Sequence, residues 1–267
     1  MASPNNNGGS EACAMHDWDL PPPVVPIYST PVGGRLQIFW PNWTILEDQF
    51  VTEILRQGYT LPIINTPPLT NMPRSCEYAK HQIRHLQENI EILLQKKAIE
   101  VVADPDHNPG LYSPIFVIRK KDSGKMRMIH NLALFNERYL SAPPHFRMTT
   151  LDHLRSEIMP QDWLVSLDIQ DAYLHVPIRR AHRKYLRFFF EGSHYQWAVL
   201  PFGISTAPWL FTRITASITR FLHLRKIRFD PYRDCQLLAK QKNFTIKLLQ
   251  HGEICKGFSI CISGETT

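Results

Sequence analysis

Between positions 77 and 97 the apolar residues Ala79, Ile83, Leu86, Ile90, Leu93 and Leu94 recur every three to four positions among charged neighbours. That spacing predicts an amphipathic helix with one stripe against a core. A weaker helical spacing joins Trp43, Leu46, Phe50, Ile54 and Leu55, so part of 42–57 is expected to form a shorter helix. After the long helix the period changes to two. Residues 113–118 and 126–129 predict a hairpin about the turn Asp122-Ser123-Gly124-Lys125. Residues 186–190 and 195–200 predict a second strand pair, joined at Glu191-Gly192-Ser193.

Residues 163–167 (Trp-Leu-Val-Ser-Leu) predict an apolar strand ending on Asp168, after a short helical stretch near 151–158. Past Pro201-Phe202-Gly203, Ser205 or Thr206 is placed to cap a helix running to about Leu224, with Pro208 in its first turn. Residues 227–239 outline a tight hairpin with Asp234 at its tip, and a helix (243–251) and a strand (258–262) follow. The sum is an α+β fold with an antiparallel sheet backed by helices.

Proline sets the division of the N-terminal part. Residues 1–34 combine Asn, Gly and Ser with Pro21-Pro22-Pro23, Pro26 and Pro31 and read as a disordered leader. Residues 35–76 read as an extended and helical lead-in, Pro-rich over 59–75, and 77–267 as the main domain.

Composition narrows the class. Hydrophobic residues make up 43% and charged residues 20% of 267, which excludes wholesale disorder. No apolar run approaches the ~20 residues of a membrane helix, and the first residues lack the basic head and apolar stretch of a signal peptide. Five cysteines without a CxxC pair point to free thiols, hence to an intracellular protein, cytoplasmic or nuclear and not secreted. The net charge of +6 permits a polyanionic partner.

Asp168 is the first candidate for chemistry. A carboxylate where a buried strand emerges must face solvent, a cation or a partner, because burying it unpaired is costly. Asp234 stands at another strand end. Two such carboxylates suit two-metal phosphoryl transfer, in which hard oxygen ligands hold two Mg²⁺ about 3.5–4 Å apart. The basic hairpin tip (Arg119, Lys120, Lys121, Lys125, Arg127) reads on its own as a solvated edge.

The words around these residues carry more. Leu-Asp-Ile-Gln-Asp-Ala-Tyr (167–173) resembles the first catalytic motif of reverse transcriptases, and Leu-Pro-Phe-Gly-Ile-Ser-Thr-Ala-Pro (200–208) resembles the turn and helix that back the templating base. Residues 113–127 resemble the fingers hairpin. Val-Gly-Gly-Arg-Leu (32–36) and Gln-Gly-Tyr-Thr-Leu-Pro (57–62) resemble the lead-in of DIRS-type retrotransposons, which pair reverse transcription with a tyrosine recombinase.

The resemblance implies a reverse-transcriptase fingers and palm unit working on an RNA template, a DNA primer and deoxynucleoside triphosphates. Asp168 and Asp234 would bind two Mg²⁺, with Mn²⁺ as a substitute, assisted by the Ile169 carbonyl. Lys120 and Arg127 would grip the phosphates and Asp171 and Ala172 would offer them backbone amides. Tyr173 would exclude a 2′-hydroxyl, and Phe202 and Gly203 would line the nucleotide pocket.

The chain also departs from the pattern. The family's Tyr-x-Asp-Asp motif is here Tyr232-Arg233-Asp234-Cys235, and a thiol is a poor ligand for hard Mg²⁺. Residues 131–136 lack the acidic and basic pair common there, and no thumb, RNase H module or recombinase follows Phe258. These departures imply a truncated, partly degenerate copy with impaired polymerisation, the missing modules left to other chains if supplied at all. The alternative is a catalytically inactive nucleic-acid-binding remnant. A third reading is an unstable pseudogene product.

Overall fold

The predicted long helix is α3, Lys80–Gln95, in a computed structural model that describes residues 30–73, 75–119, 126–147, 165–225, 229–232, 236–239 and 260–264, with backbone alone for 165–168 and the last three segments. Leu86 and Ile90 on its stripe are buried, and Ile83, Leu93 and Leu94 pack beside them. The helix lies against the strands β1 (Ile99–Val101), β2 (Ile115–Arg119) and β3 (Met126–His130). Strands β2 and β3 form the expected antiparallel hairpin, with Ile118 opposite Arg127. Its tip at 120–125 lies outside the described residues, as do the expected leader over 1–29 and the expected helices at 151–158 and 243–251.

A second antiparallel sheet has the order β1-β6-β5, with β5 at Arg187–Phe190 and β6 at Ser193–Trp197. Phe190 pairs with Ser193, so the turn is the two residues Glu191-Gly192. Both have positive φ (46° and 79°), the mirror-image turn that matches strand twist. The third sheet has the order β7-β8-β4-β9, all antiparallel, with β4 at Val165–Ile169, β7 at Phe229–Tyr232, β8 at Gln236–Ala239 and β9 at Ile260–Gly264. The α+β expectation with antiparallel sheets therefore holds.

Three short helices accompany these sheets: α1 (Arg35–Ile38), α2 (Gln49–Gln57) and α4 (Ala133–Tyr139). The last helix among the described residues, α5 (Ala207–Leu224), buries Leu210, Phe211, Ile214, Ile218, Phe221 and Leu222. Its N-cap position is Thr206, but the expected hydroxyl cap is not made. The Ser205 N–H, one residue before the N-cap, donates to the Asn136 side-chain oxygen at 3.0 Å, which ties the start of α5 to α4 without replacing the cap.

Residues 30–34 are packed against the rest of the fold. Thr30 is buried and its carbonyl accepts a hydrogen bond from the Arg35 guanidinium at 2.5 Å. Gly33 N–H donates to the Lys96 carbonyl at 2.7 Å, and Gly34 N–H to the Leu174 carbonyl at 2.8 Å. A Cβ on Gly33 would sit 2.3 Å from the Lys97 carbonyl oxygen, so only glycine fits this crossing.

The lead-in is also clamped to α5. Asp48 caps α2 by accepting from Val51 N–H at 3.3 Å and also accepts from Ser217 Oγ at 2.6 Å and from both Arg213 terminal nitrogens at 2.7 and 3.2 Å. Burial pushes the Asp48 carboxyl up, and the bonds from Arg213, Ser217 and Val51 outweigh it, leaving the group below the ordinary carboxylate value.

Candidate active site

β4 delivers Asp168 one residue before its end at Ile169. In backbone register Asp168 stands opposite Gln236 of β8 on one side and Cys261 of β9 on the other. Tyr232 pairs with Gln236, so the β7–β8 connection is the three residues 233–235. Asp234 and Lys120 themselves lie outside the described residues, and Asp168 is described by its backbone.

The chain leaves β4 through Gln170 and turns sharply at Asp171, whose φ of 56° is in the left-handed region that short polar side chains tolerate. A 3-10 turn, Ala172–His175, follows, closed by the bond from Leu174 N–H to the Asp171 carbonyl at 2.8 Å. His175 Nε2 lies 3.0 Å from the Gln170 carbonyl oxygen, fixing the turn from beneath. Ala172 is buried. The Asp171 carboxylate meets Lys96 Nζ at 2.6 Å, across from the end of α3.

Tyr173 projects from this turn into an aromatic group. Its ring centroid is 5.3 Å from that of Phe202 and 5.7 Å from that of Phe211 on α5, spacings at which tilted and edge-on rings attract. Phe202 remains 57% exposed, so the group has an open side. The next residue, Gly203, has φ of 97°, a conformation costly for other residues. Asn136 holds it by donating to the Gly203 carbonyl at 2.7 Å while accepting from Ser205 N–H.

The structure thus gathers Asp171, Ala172, Tyr173, Phe202 and Gly203 in one place. Ile169 is buried directly before them. Arg127 is exposed on β3, three residues before His130, whose carbonyl oxygen is 3.5 Å from where a Gly203 Cβ would be. Lys96 and Asn136 are not among the site residues expected from the sequence motifs. A polar residue near the end of a helix looks like any solvated one until its distant partner is known.

Among the described residues no three His, Cys, Asp or Glu side chains are arranged to hold a metal ion, and no helix is long and apolar enough to cross a membrane. The donor chemistry suits Mg²⁺ at Asp168 and Asp234 and suits it badly at Cys235. The backbone register is compatible with a shared ion, since residue 168 stands opposite residue 236 beside the 233–235 connection.

A mixed helical and antiparallel-sheet domain with a strand-end aspartate and an aromatic group at the following turn is consistent with a polymerase palm. The model of the reverse transcriptase (RNA-dependent DNA polymerase) family matches residues 118–251, half of the chain, and the chain belongs to that family. Its relatives are retroviral and retroelement polyproteins. It is 31% identical over 155 residues to the Gag-Pol polyprotein of Walleye dermal sarcoma virus, covering 54% of this chain and 8% of that one. It is 29% identical over 213 residues to the Gag-Pro-Pol polyprotein of Human T-cell leukemia virus 2, covering 71% and 14%. To the Enzymatic polyprotein of Cestrum yellow leaf curling virus it is 24% identical over 153 residues, covering 57% and 23%. The chain spans under a quarter of the length of each of these relatives.

Proposed function

We propose that this chain is the fingers and palm of a DIRS-type retroelement reverse transcriptase, copying RNA into DNA on a DNA primer from deoxynucleoside triphosphates. In this reading 77–267 is the polymerase unit and 35–76 its lead-in. It acts inside the cell, in cytoplasm or nucleus.

The Asp168 and Asp234 carboxylates and the Ile169 carbonyl would hold two Mg²⁺, replaceable by Mn²⁺, and the pair would supply Lewis-acid activation of the primer hydroxyl and charge stabilisation for the leaving pyrophosphate. Lys120 and Arg127 neutralise the triphosphate, and the Asp171 and Ala172 amides donate to it. The Tyr173 ring fills the space a 2′-hydroxyl needs, while Phe202 and Gly203 form the wall beside the base. Cys235 weakens the metal pair, because its thiol offers a soft and mostly protonated donor.

The observation that carries this reading is the Tyr173–Phe202–Phe211 ring group opening directly after β4. A second reading, a remnant that binds nucleic acid without polymerising, is favoured by Cys235. Primer extension on an RNA template separates the two. The polymerase reading expects slow, divalent-ion-dependent extension that Asp168→Asn abolishes. Absence of product with both Mg²⁺ and Mn²⁺, alongside salt-sensitive primer–template binding, supports the remnant.

A further inference from the structure

The Lys96–Asp171 pair joins residues 75 positions apart and does so next to the proposed phosphate-binding amides. Lys96 is the C-cap of α3, where a cation is ordinarily placed for the helix dipole alone. Here its ammonium instead reaches across to Asp171 at 2.6 Å, with the two side chains 30% and 21% exposed. Its carbonyl meanwhile anchors Gly33, and Gly34 anchors Leu174, so both ends of this contact are fixed by backbone bonds. A pair this accessible contributes little to stability, so the bond's place in the fold matters more than its strength.

The place is electrically awkward. Asp171 has the left-handed φ that starts the 172–175 turn, so its carboxylate is attached to the same turn whose amides would meet a polyanionic triphosphate. An unpaired carboxylate there would repel the phosphates.

We infer that Lys96 is a positioning residue that neutralises the Asp171 carboxylate so that the 171–172 amides can donate to a nucleotide triphosphate. The inference rests on the proposed nucleotide site. It assigns Lys96 no contact with the nucleotide.

The test is equilibrium binding of Mg²⁺-deoxythymidine triphosphate to the full chain, held on an RNA template with a chain-terminated primer whose next templating base is adenine. Lys96→Met is expected to weaken binding about three- to tenfold. Lys96→Arg should keep wild-type affinity. The double variant Lys96→Met/Asp171→Asn should recover most of the loss, because it removes the repelling charge with its partner. Loss of packing alone would not be repaired by a second substitution, which makes the recovery the decisive readout. Circular dichroism melting checks that each variant folds. Thymidine without phosphates should bind Lys96→Met and wild type alike.

Equal triphosphate affinity of wild type and Lys96→Met would overturn the inference while leaving the nucleotide site standing. A double variant as weak as Lys96→Met would overturn it too. A wild-type complex that binds no triphosphate at all would instead end the nucleotide-site reading, and this inference with it.

Discussion

The side-chain amide of Asn136 donates to the Gly203 carbonyl at 2.7 Å and accepts from the Ser205 N–H at 3.0 Å, so one side chain on α4 spans the turn that precedes α5. The turn it spans includes Gly203 at a φ of 97° and ends at Ser205, just before the helix N-cap Thr206. Asn136→Ala is expected to cost about 1 kcal/mol, from two lost hydrogen bonds of which the one to the exposed Gly203 carbonyl is replaced by water. Asn136→Asp should be no better, since its carboxylate would face the Gly203 carbonyl with no proton to share. Urea unfolding of the three proteins checks the order, and an unchanged midpoint for Asn136→Ala would remove Asn136 from the turn's support.

Tyr173 touches Phe202 on the exposed side and Phe211 on the core side. Tyr173→Ala should lower stability by about 2 kcal/mol, less than for a fully buried ring because Tyr173 is only half-buried. Its functional signature is separate: binding of ribonucleotide relative to deoxyribonucleotide should rise on primer–template. Tyr173→Phe keeps the ring and should leave both properties nearly unchanged. If Tyr173→Ala discriminates against ribonucleotides as well as wild type does, the steric role fails.

His130 is buried, stacked on Trp197 and hydrogen-bonded through Nδ1 to the indole N–H at 3.1 Å. Burial pushes its pKa from 6.5 to about 4, so the folded protein holds the neutral ring. The unfolded chain binds this proton more readily between those values. Stability from His130 is therefore complete above about pH 6.5 and is lost as pH falls toward 4, by up to about 3 kcal/mol. His182 and His194 are also lowered, chiefly by burial, and add to the same limb with the smaller share of more accessible groups. Urea midpoints from pH 7.5 to 4 should show a slope that flattens in His130→Gln. An identical slope in both proteins would place the effect elsewhere.

The elements read correctly from sequence are those whose side chains repeat. α3 shows its stripe because Leu86 and Ile90 must face β1–β3, and β5–β6 shows its turn because Glu191-Gly192 is a local device. α4 was not foreseen: seven residues with Phe135 as the buried anchor are too short to display a period. The crossing of Gly33 over the end of α3 was equally invisible as a contact, although the Gly-Gly pair was noticed as a motif. What made it necessary is backbone approach from a segment more than 60 residues away, and such approaches leave no pattern in either segment.

The same division applies to the site. Asp171, Tyr173 and Phe202 could be named because they sit in words of recognisable order, and the structure does bring Tyr173 and Phe202 together. Lys96 could not be named, because a lysine ending a helix satisfies the dipole without further explanation. Polar partners that act at a distance are legible only after the chain has folded.

In the proposed reaction Asp168 and Asp234 share divalent ions, and the Cys235 thiol weakens their site. Primer extension by wild type, Cys235→Asp and Cys235→Asp/Asp168→Asn, on one RNA template with Mg²⁺, tests this directly. The expected order is weak extension by wild type, at least about tenfold more by Cys235→Asp, and none by the double variant. Extension by wild type equal to that of Cys235→Asp, or extension that survives loss of the Asp168 carboxylate, would contradict it.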